Sequence, residues 1–168
     1  MISHRFLFLL LLLLPIHNSV AQEETFEPLF ENIDITKGLP HNTVQKIFQD
    51  SEGYMWFATK DGLCRYDGYN FIVYCESLVK ESISNSKVRC IAEDAYKNIW
   101  VGTWGAGLHL LHDAYNPEKT TWTTFTHDEN RSGTISDNLI YAISEDLNTN
   151  SLWVGTRSSL SILPMRNL

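Results

Sequence analysis

The sequence predicts an all-β protein, an incomplete β-propeller of about three four-stranded antiparallel blades. One motif occurs three times along the chain, and each copy is centred on a tryptophan, at Trp56, Trp100 and Trp153. The tryptophans are 44 and 53 residues apart, close to the roughly 40–50 residues of a propeller blade. Val, Ile, Thr, Tyr and Trp dominate the intervening runs, a composition that favours strands.

The first 21 residues have the features of a secretory signal peptide. His4 and Arg5 precede an apolar run at 6–14, and Ala21 ends a stretch of small residues that a signal peptidase can cleave. The apolar run is shorter than the roughly 20 residues that a membrane-spanning helix needs. We therefore expect cleavage after Ala21, export to the periplasm and no membrane span in the chain.

The net charge argues against a nucleic-acid partner, and the cysteine count limits the disulfides that can form. The chain has a formal net charge of −7 and no cluster of Lys and Arg along the sequence, so a nucleic-acid partner is not expected. Its three cysteines, Cys64, Cys75 and Cys90, leave at least one thiol unpaired within a monomer. We interpret them as small buried apolar side chains, and a bridge between Cys64 and Cys75 stays open.

The repeat sets the predicted domain boundaries. In each copy, apolar positions are followed at constant spacing by Ile and Asp, then by a turn, the Trp and a Thr. After the signal peptide at 1–21, we predict an N-terminal strand and entry loop at 22–38. Blade repeat 1 follows at 39–82, blade repeat 2 at 83–134, and a partial blade repeat 3 at 135–168, in which the motif stops near Pro164 before a fourth strand.

The first copy predicts four strands in order. A strand at 44–48 leads to Asp50, whose carboxylate can accept amides of the turn that ends at Gly53. A second strand at 54–59 carries Trp56, and strands at 63–66 and 71–74 are joined by the turn at Asp67 and Gly68. The second copy repeats this order, with a longer loop before its last strand at 121–126.

Three sets of repeated residues form the predicted structural core. We expect the tryptophans to fill the space between blades and the aspartates to bind turn amides, and a threonine recurs three positions after each Trp. These residues are Trp56, Trp100, Trp153; Asp50, Asp94, Asp146; Thr59, Thr103, Thr156. Two positions beyond each Trp, Ala58, Gly102 or Gly155 leaves room for a neighbour's large ring. Lys97 takes the place of Gly53, which predicts either a changed turn type or a strained backbone.

The repeat resembles a known family. The spacing Asp-x2-Gly-x2-Trp-x2-Thr-x2-Gly-Leu, followed by Arg65-Tyr66-Asp67-Gly68-Tyr69-Asn70-Phe71, is similar to the two-component regulator propeller repeat. Residues 30–42 resemble the first strand and entry loop of such sensors, and the resemblance runs from about Phe26 to Leu163. It implies the N-terminal periplasmic sensor portion of a hybrid two-component sensor histidine kinase, a class in which many members sense oligosaccharides.

The resemblance implies a truncated, ligand-sensing β-propeller fragment with an oligosaccharide ligand and with no kinase module, enzyme activity or cofactor in this chain. A propeller needs at least about four blades to close its ring. We therefore expect either a truncated sensor gene or a subunit that associates with remaining blades, or with itself, through open strand edges. Two other classes stay open: a fragment of a secreted propeller enzyme (a lyase or glycosidase), and an interaction module that completes a partner's propeller.

Catalytic and metal-binding patterns are absent from the sequence. It contains no Cys-x2-Cys, no His-Glu-x2-His and no phosphate-binding loop. His109 and His112 fall on opposite faces of a strand, so they cannot chelate one metal ion together. We interpret them as surface or rim histidines and expect no catalytic residue and no metal.

Candidate ligand-binding residues directly follow the repeated threonines. The residue at this position differs among the three copies, although the motif around it is constant: it is Lys60, Trp104 or Arg157. Loops on one rim of a rigid scaffold are usual recognition sites. We expect Trp104 to stack on a sugar face, and Lys60 and Arg157 to contact hydroxyl or acidic groups. Burial of Trp104 between blades stays as the alternative.

Overall fold

The computed structural model describes residues 27–75, 83, 87–116 and 118–165. The expected signal peptide at 1–21 lies outside these residues. The chain divides into two compact units, Met1–Glu31 and Asn32–Leu168, and every strand described below belongs to the second. Within the described ranges, no helix is long and apolar enough to cross a membrane.

The second unit contains three antiparallel sheets, each formed by strands consecutive in sequence. Blade 1 consists of β1 (Val44–Gln49), β2 (Met55–Thr59), β3 (Gly62–Tyr66) and β4 (Phe71–Tyr74); blade 2 of β5 (Val88–Glu93), β6 (Ile99–Thr103), β7 (Leu108–His112) and β8 (Thr121–Phe125); blade 3 of β9 (Ile140–Asp146), β10 (Ser151–Thr156) and β11 (Leu160–Pro164). The prediction of an all-β fold with three blades is confirmed.

The segment before blade 1 differs from the expectation of a strand within 22–38. Its described part, 27–38, contains no strand and instead forms one turn of 3₁₀ helix at Ile35–Lys37. The Asp34 carboxylate caps this turn, accepting hydrogen bonds from the Thr36 amide at 2.8 Å and the Thr36 hydroxyl at 2.6 Å. Gly38 ends it with a φ of 113°, a backbone angle that glycine adopts without strain.

The central Trp of blade 1 and that of blade 2 each face the following blade. Trp56 packs in one cluster with Ile91 and Val101 of blade 2, and Trp100 packs in a second cluster with Ile140 of blade 3. Burial of such large rings is a major source of stability between blades. Blade 2 is therefore covered on both faces, and all five residues of β6 are buried.

Trp153 departs from this pattern because no blade among the described residues covers its face. It is 37% exposed, whereas Trp56 and Trp100 are 0% exposed, and Leu160 and Ile162 lie exposed on the same face. The strand at 44–48 is the other edge that we expected to be open: β1 pairs with β2 on one side, and no strand among the described residues pairs with its other side. Self-association stays a prediction, and its surface would be this apolar face of blade 3.

Gly102 lies at the boundary between blades 2 and 3. A Cβ atom at Gly102 would stand 2.6 Å from Ile140 Cγ2 and 2.4 Å from Cys90 Sγ, too close for any side chain. Cys90 and Ile140 therefore occupy this space, rather than the large ring that the sequence suggested. At Gly155 the nearest atom to such a Cβ would be 3.6 Å away, in Ala142.

Lys97 adopts the strained conformation that was one of its two predicted alternatives. Its φ is 66°, in the left-handed region. Its amide donates to the Asp94 carbonyl at 2.9 Å, as the Gly53 amide does to the Asp50 carbonyl at 3.1 Å. The turn type is therefore unchanged, and the lysine carries a backbone strain of roughly 1 kcal/mol.

Candidate functional site

The repeated threonines hold the loops that follow β2, β6 and β10 at one rim of the blades. The Thr59 hydroxyl donates to the Gly62 carbonyl at 2.8 Å and accepts the Asp61 amide at 3.1 Å. Thr103 and Thr156 donate in the same way, at 2.9 Å and 2.8 Å. This closed turn fixes the position of the next residue in each blade, which is Lys60, Trp104 or Arg157.

A β-bulge occurs at the same place in the innermost strand of each blade, close to these loops. In blade 1 the register shifts between Val44 and Lys46, so that Gln45 is an extra residue. Equivalent shifts make Arg89 and Tyr141 the extra residues of blades 2 and 3. Bulges often redirect side chains beside binding sites. Sequence reasoning missed these residues, although the position varies among the three copies as the loop position does.

The bulge and loop residues meet between blades 2 and 3. The Arg89 guanidinium carbon lies 4.6 Å from the centre of the Trp104 ring and 4.4 Å from that of Tyr141. The two rings meet edge to face, with centroids 6.2 Å apart. Trp104 is 46% exposed, so it does not share the buried environment of Trp100. An arginine between two aromatic rings is held by cation–π attraction, which limits its rotamers.

Two neighbouring cavities open beside this cluster. The first has a volume of about 330 Å³ and is lined by Gln45, Lys60, Lys87, Val88, Arg89 and Trp104. The second, of about 320 Å³, shares Gln45 and Arg89 and adds Lys46 and Tyr141 from the neighbouring inner strands. Volumes of this size are at the lower end of those seen in small-molecule sites. Two of the three predicted ligand-binding residues, Lys60 and Trp104, line the first cavity.

Arg157, the third predicted residue, lines neither cavity. Its guanidinium pairs with the Asp137 carboxylate at 3.0 Å, and the Ser158 hydroxyl donates to the same oxygen at 2.7 Å. The Leu139 amide, followed by Ser158 and Arg157, lowers the pKa of Asp137 from its usual value. Arg157 is therefore part of a local polar cluster in blade 3.

At the opposite end of the blades, Asp50 and Asp94 bind the central tryptophans of blades 1 and 2. The Asp50 carboxylate accepts the Trp56 indole N–H at 2.6 Å as well as the amides of Glu52 and Tyr54. The sequence predicted the amide contacts but not the indole. A buried indole N–H needs such an acceptor, and the constant spacing of Asp and Trp in these two blades reflects that pairing.

Hydrogen bonds that link neighbouring blades were also not predicted from the sequence. The Glu93 carboxylate at the end of β5 accepts the Ser51 amide at 2.7 Å and the Ser51 hydroxyl at 2.8 Å, across the boundary with blade 1. Glu145 at the end of β9 accepts the Ala95 amide of blade 2 at 3.0 Å. The signal was present as a Glu directly before Asp94 and Asp146. These contacts help to fix the angle between blades, and so the shape of the rim.

His109 lies in the interior and not at the surface where we expected it. It is fully buried, hydrogen-bonded to the Thr124 hydroxyl at 3.0 Å and edge-on to Trp122. Burial lowers its pKa to about 4. His112, on the opposite face, is half-buried and contacts the Thr123 hydroxyl at 2.9 Å. Within the described ranges, no group of three or more His, Cys, Asp or Glu residues could hold a metal ion.

The three cysteines are all free thiols, so the structure contains no bridge between Cys64 and Cys75. Cys64 and Cys90 are buried, and burial raises the pKa of each thiol to about 12. Neutral buried thiols behave as small apolar side chains, as expected for these two. Cys75 is exposed.

Comparison with known proteins agrees with this architecture. Residues 38–61 and 82–105 match the family model described as two component regulator propeller. The extracellular domain of BT3049 from B. thetaiotaomicron, described as a hybrid two-component system, is 28% identical and aligns with a TM-score of 0.71 over 80% of this chain. The chain spans only 19% of that domain's length. No curated protein matches by sequence.

Two solved structures with lower sequence identity to this chain support fewer conclusions. The extracellular domain of BT4673 from B. thetaiotaomicron, also described as a hybrid two-component system, is 22% identical over 78% of this chain and 23% of its own, with a TM-score of 0.42. That score is too low to support an inference. A streptogramin B lyase is 17% identical over 77% of this chain and 43% of its own, with a TM-score of 0.51, which shows a shared fold alone.

Proposed function

Because the chain carries two-component regulator propeller repeats and resembles the extracellular domain of a hybrid two-component system, we propose that it is a periplasmic ligand-sensing propeller segment. Its ligand is an oligosaccharide, bound at the rim between blades 1 and 2. Its own role is binding, and no catalytic step is assigned to it. The expected signal peptide and the extracellular location of the BT3049 domain support the periplasmic assignment.

The observation that carries the proposal is the cavity that contains both Lys60 and Trp104. A half-exposed indole beside hydrogen-bond donors suits a sugar, which presents an apolar ring face and a border of hydroxyl groups. The donors here are Lys60 and the amide of Gln45, both exposed. The threonine-closed turns and the bulges hold these side chains on a rigid frame, which lowers the entropy cost of binding.

Isothermal titration calorimetry of the purified protein against a panel of defined oligosaccharides tests this proposal. We expect one class of oligosaccharide to bind, and Trp104→Ala to weaken that binding at least about tenfold, a loss of about 1.4 kcal/mol. Tyr96→Ala is the matched control, because Tyr96 is an exposed aromatic residue in the β5–β6 turn at the other end of blade 2. Absence of binding across the panel, or equal effects of the two substitutions, would contradict the proposal.

A further inference from the structure

The two cavities at the rim are strongly cationic. Lys60, Lys87 and Arg89 line the first, and Lys46 and Arg89 line the second. Among the described residues that line the two cavities, none is an Asp or a Glu. The whole chain has a net charge of −7, with 20 acidic and 13 basic residues. Four of those basic residues therefore converge on one small region, against the overall charge balance.

These cations are scattered in the sequence, and the fold brings them together. Lys46 and Arg89 come from β1 and β5, which lie side by side. Lys60 is in the loop after β2, and Lys87 directly precedes β5. Concentrated positive charge in a concave site raises the local concentration of anions.

Arg89 is the best-placed of these groups for recognising an anion. The bulge makes it the extra residue of β5, and both cavities include it in their walls. The rings of Trp104 and Tyr141, 4.6 Å and 4.4 Å from its guanidinium carbon, restrain the side chain before any ligand arrives. A restrained guanidinium presents a planar set of N–H donors that matches the two oxygens of a carboxylate or sulfate.

We propose that the ligand is an acidic oligosaccharide, in which a sugar ring stacks on Trp104 while a carboxylate or sulfate group pairs with Arg89. The flanking Lys60 and Lys46 add charge on either side. This inference rests on the proposed function, since it specifies the class of sugar that the rim binds.

Calorimetry with matched ligands tests the inference. One pair is trigalacturonic acid and its methyl ester, in which neutral ester groups replace the carboxylates. The other pair is a sulfated galactose disaccharide and its desulfated form. At least one acidic member should bind ten or more times more tightly than its neutral counterpart, and that preference should shrink as NaCl is raised from about 50 to about 300 mM. The two pairs also distinguish a carboxylate from a sulfate ester.

Single substitutions test which side chain binds the anionic group of the ligand. Arg89→Gln should remove most of the preference for the acidic member, whereas Arg131→Gln, at an exposed arginine that lines neither cavity, should leave it unchanged. If Arg89→Gln folds poorly, the salt dependence of the unmodified protein tests the same preference for charge. Equal or tighter binding of the neutral members would overturn the acidic class and leave oligosaccharide binding intact. Failure of acidic and neutral sugars alike would overturn both proposals.

Discussion

The Asp94 carboxylate accepts the Trp100 indole N–H at 2.8 Å, in the buried space between blades 2 and 3. Blade 1 contains the same pair, Asp50 and Trp56, and in both blades six positions separate the two residues. In blade 3 the turn is one residue longer, and Asp146 instead accepts the Asn148 amide at 3.0 Å and the Thr149 hydroxyl at 2.7 Å. The repeated aspartates therefore have two different roles.

Removal of Asp94 should destabilise the fold much more than removal of Asp146. In Asp94→Ala the Trp100 indole loses its buried acceptor, and the amides of Tyr96 and Asn98 lose theirs as well. We expect a loss of at least about 2 kcal/mol in the free energy of unfolding, measured by urea titration. Asp146→Ala is the control and should cost less. Equal costs would show that the buried indole contact is not what stabilises the blade boundary.

Substitution of the two glycines should distinguish a covered blade face from an open one. Gly102→Ala forces a methyl group against Ile140 and Cys90, and we expect it to cost about 1–3 kcal/mol. Gly155→Ala meets only ordinary contacts, so we expect a change within about 0.5 kcal/mol. Thermal unfolding measures both. A large loss from Gly155→Ala would mean that another surface covers Trp153 in solution, for example that of a second copy.

Stability should depend on His109 between pH 6.5 and about 4. Burial lowers the pKa of this side chain in the folded state, so the unfolded state binds the proton more readily. The stabilisation is complete above pH 6.5 and is lost as the pH falls through this range, at a rate approaching about 1.4 kcal/mol per pH unit. The carboxylates with lowered pKa, such as Asp137, contribute only below about pH 4.

Urea titrations at about pH 7 and about pH 5 measure this dependence. The unmodified protein should lose stability between the two, whereas His109→Gln should lose markedly less. His112→Gln is the matched control, because it removes the half-buried histidine on the opposite face of β7 and leaves His109 in place. If His109→Gln and the unmodified protein respond equally to pH, the buried histidine is not the group that titrates.

The blade architecture was predictable because it depends on local features that repeat. The turn after Asp50, the strand around Trp56 and the hairpin at Asp67 each have a signal within a few residues, and three copies make those signals specific. The same reasoning placed Lys60 and Trp104 on one rim. The segment at 27–38 was less predictable, since Asp34 supplies a helical cap in a stretch that otherwise resembles a strand.

The sequence did not reveal the register of strand pairing, or which residues of neighbouring strands and blades lie close together. The bulges at Gln45, Arg89 and Tyr141 arise from pairing with a neighbouring strand, and variation among the three copies was their one signal in the sequence. The burial of His109 likewise depends on packing around β7 and β8 that its own strand does not show. The ion pair that separates Arg157 from the cavities joins residues 20 positions apart.

The most direct test of a ligand site at this rim is a proton–nitrogen NMR titration of the tryptophan indoles with the acidic oligosaccharide. The chain has five tryptophans, and only Trp104 lines the candidate cavities, so its indole resonance reports on this site separately from the other four. We expect the Trp104 indole resonance, assigned from Trp104→Phe, to shift on binding while those of Trp56, Trp100 and Trp153 stay in place. A shift confined to Trp153, or saturable binding that leaves Trp104 unmoved, would contradict a ligand site at this rim.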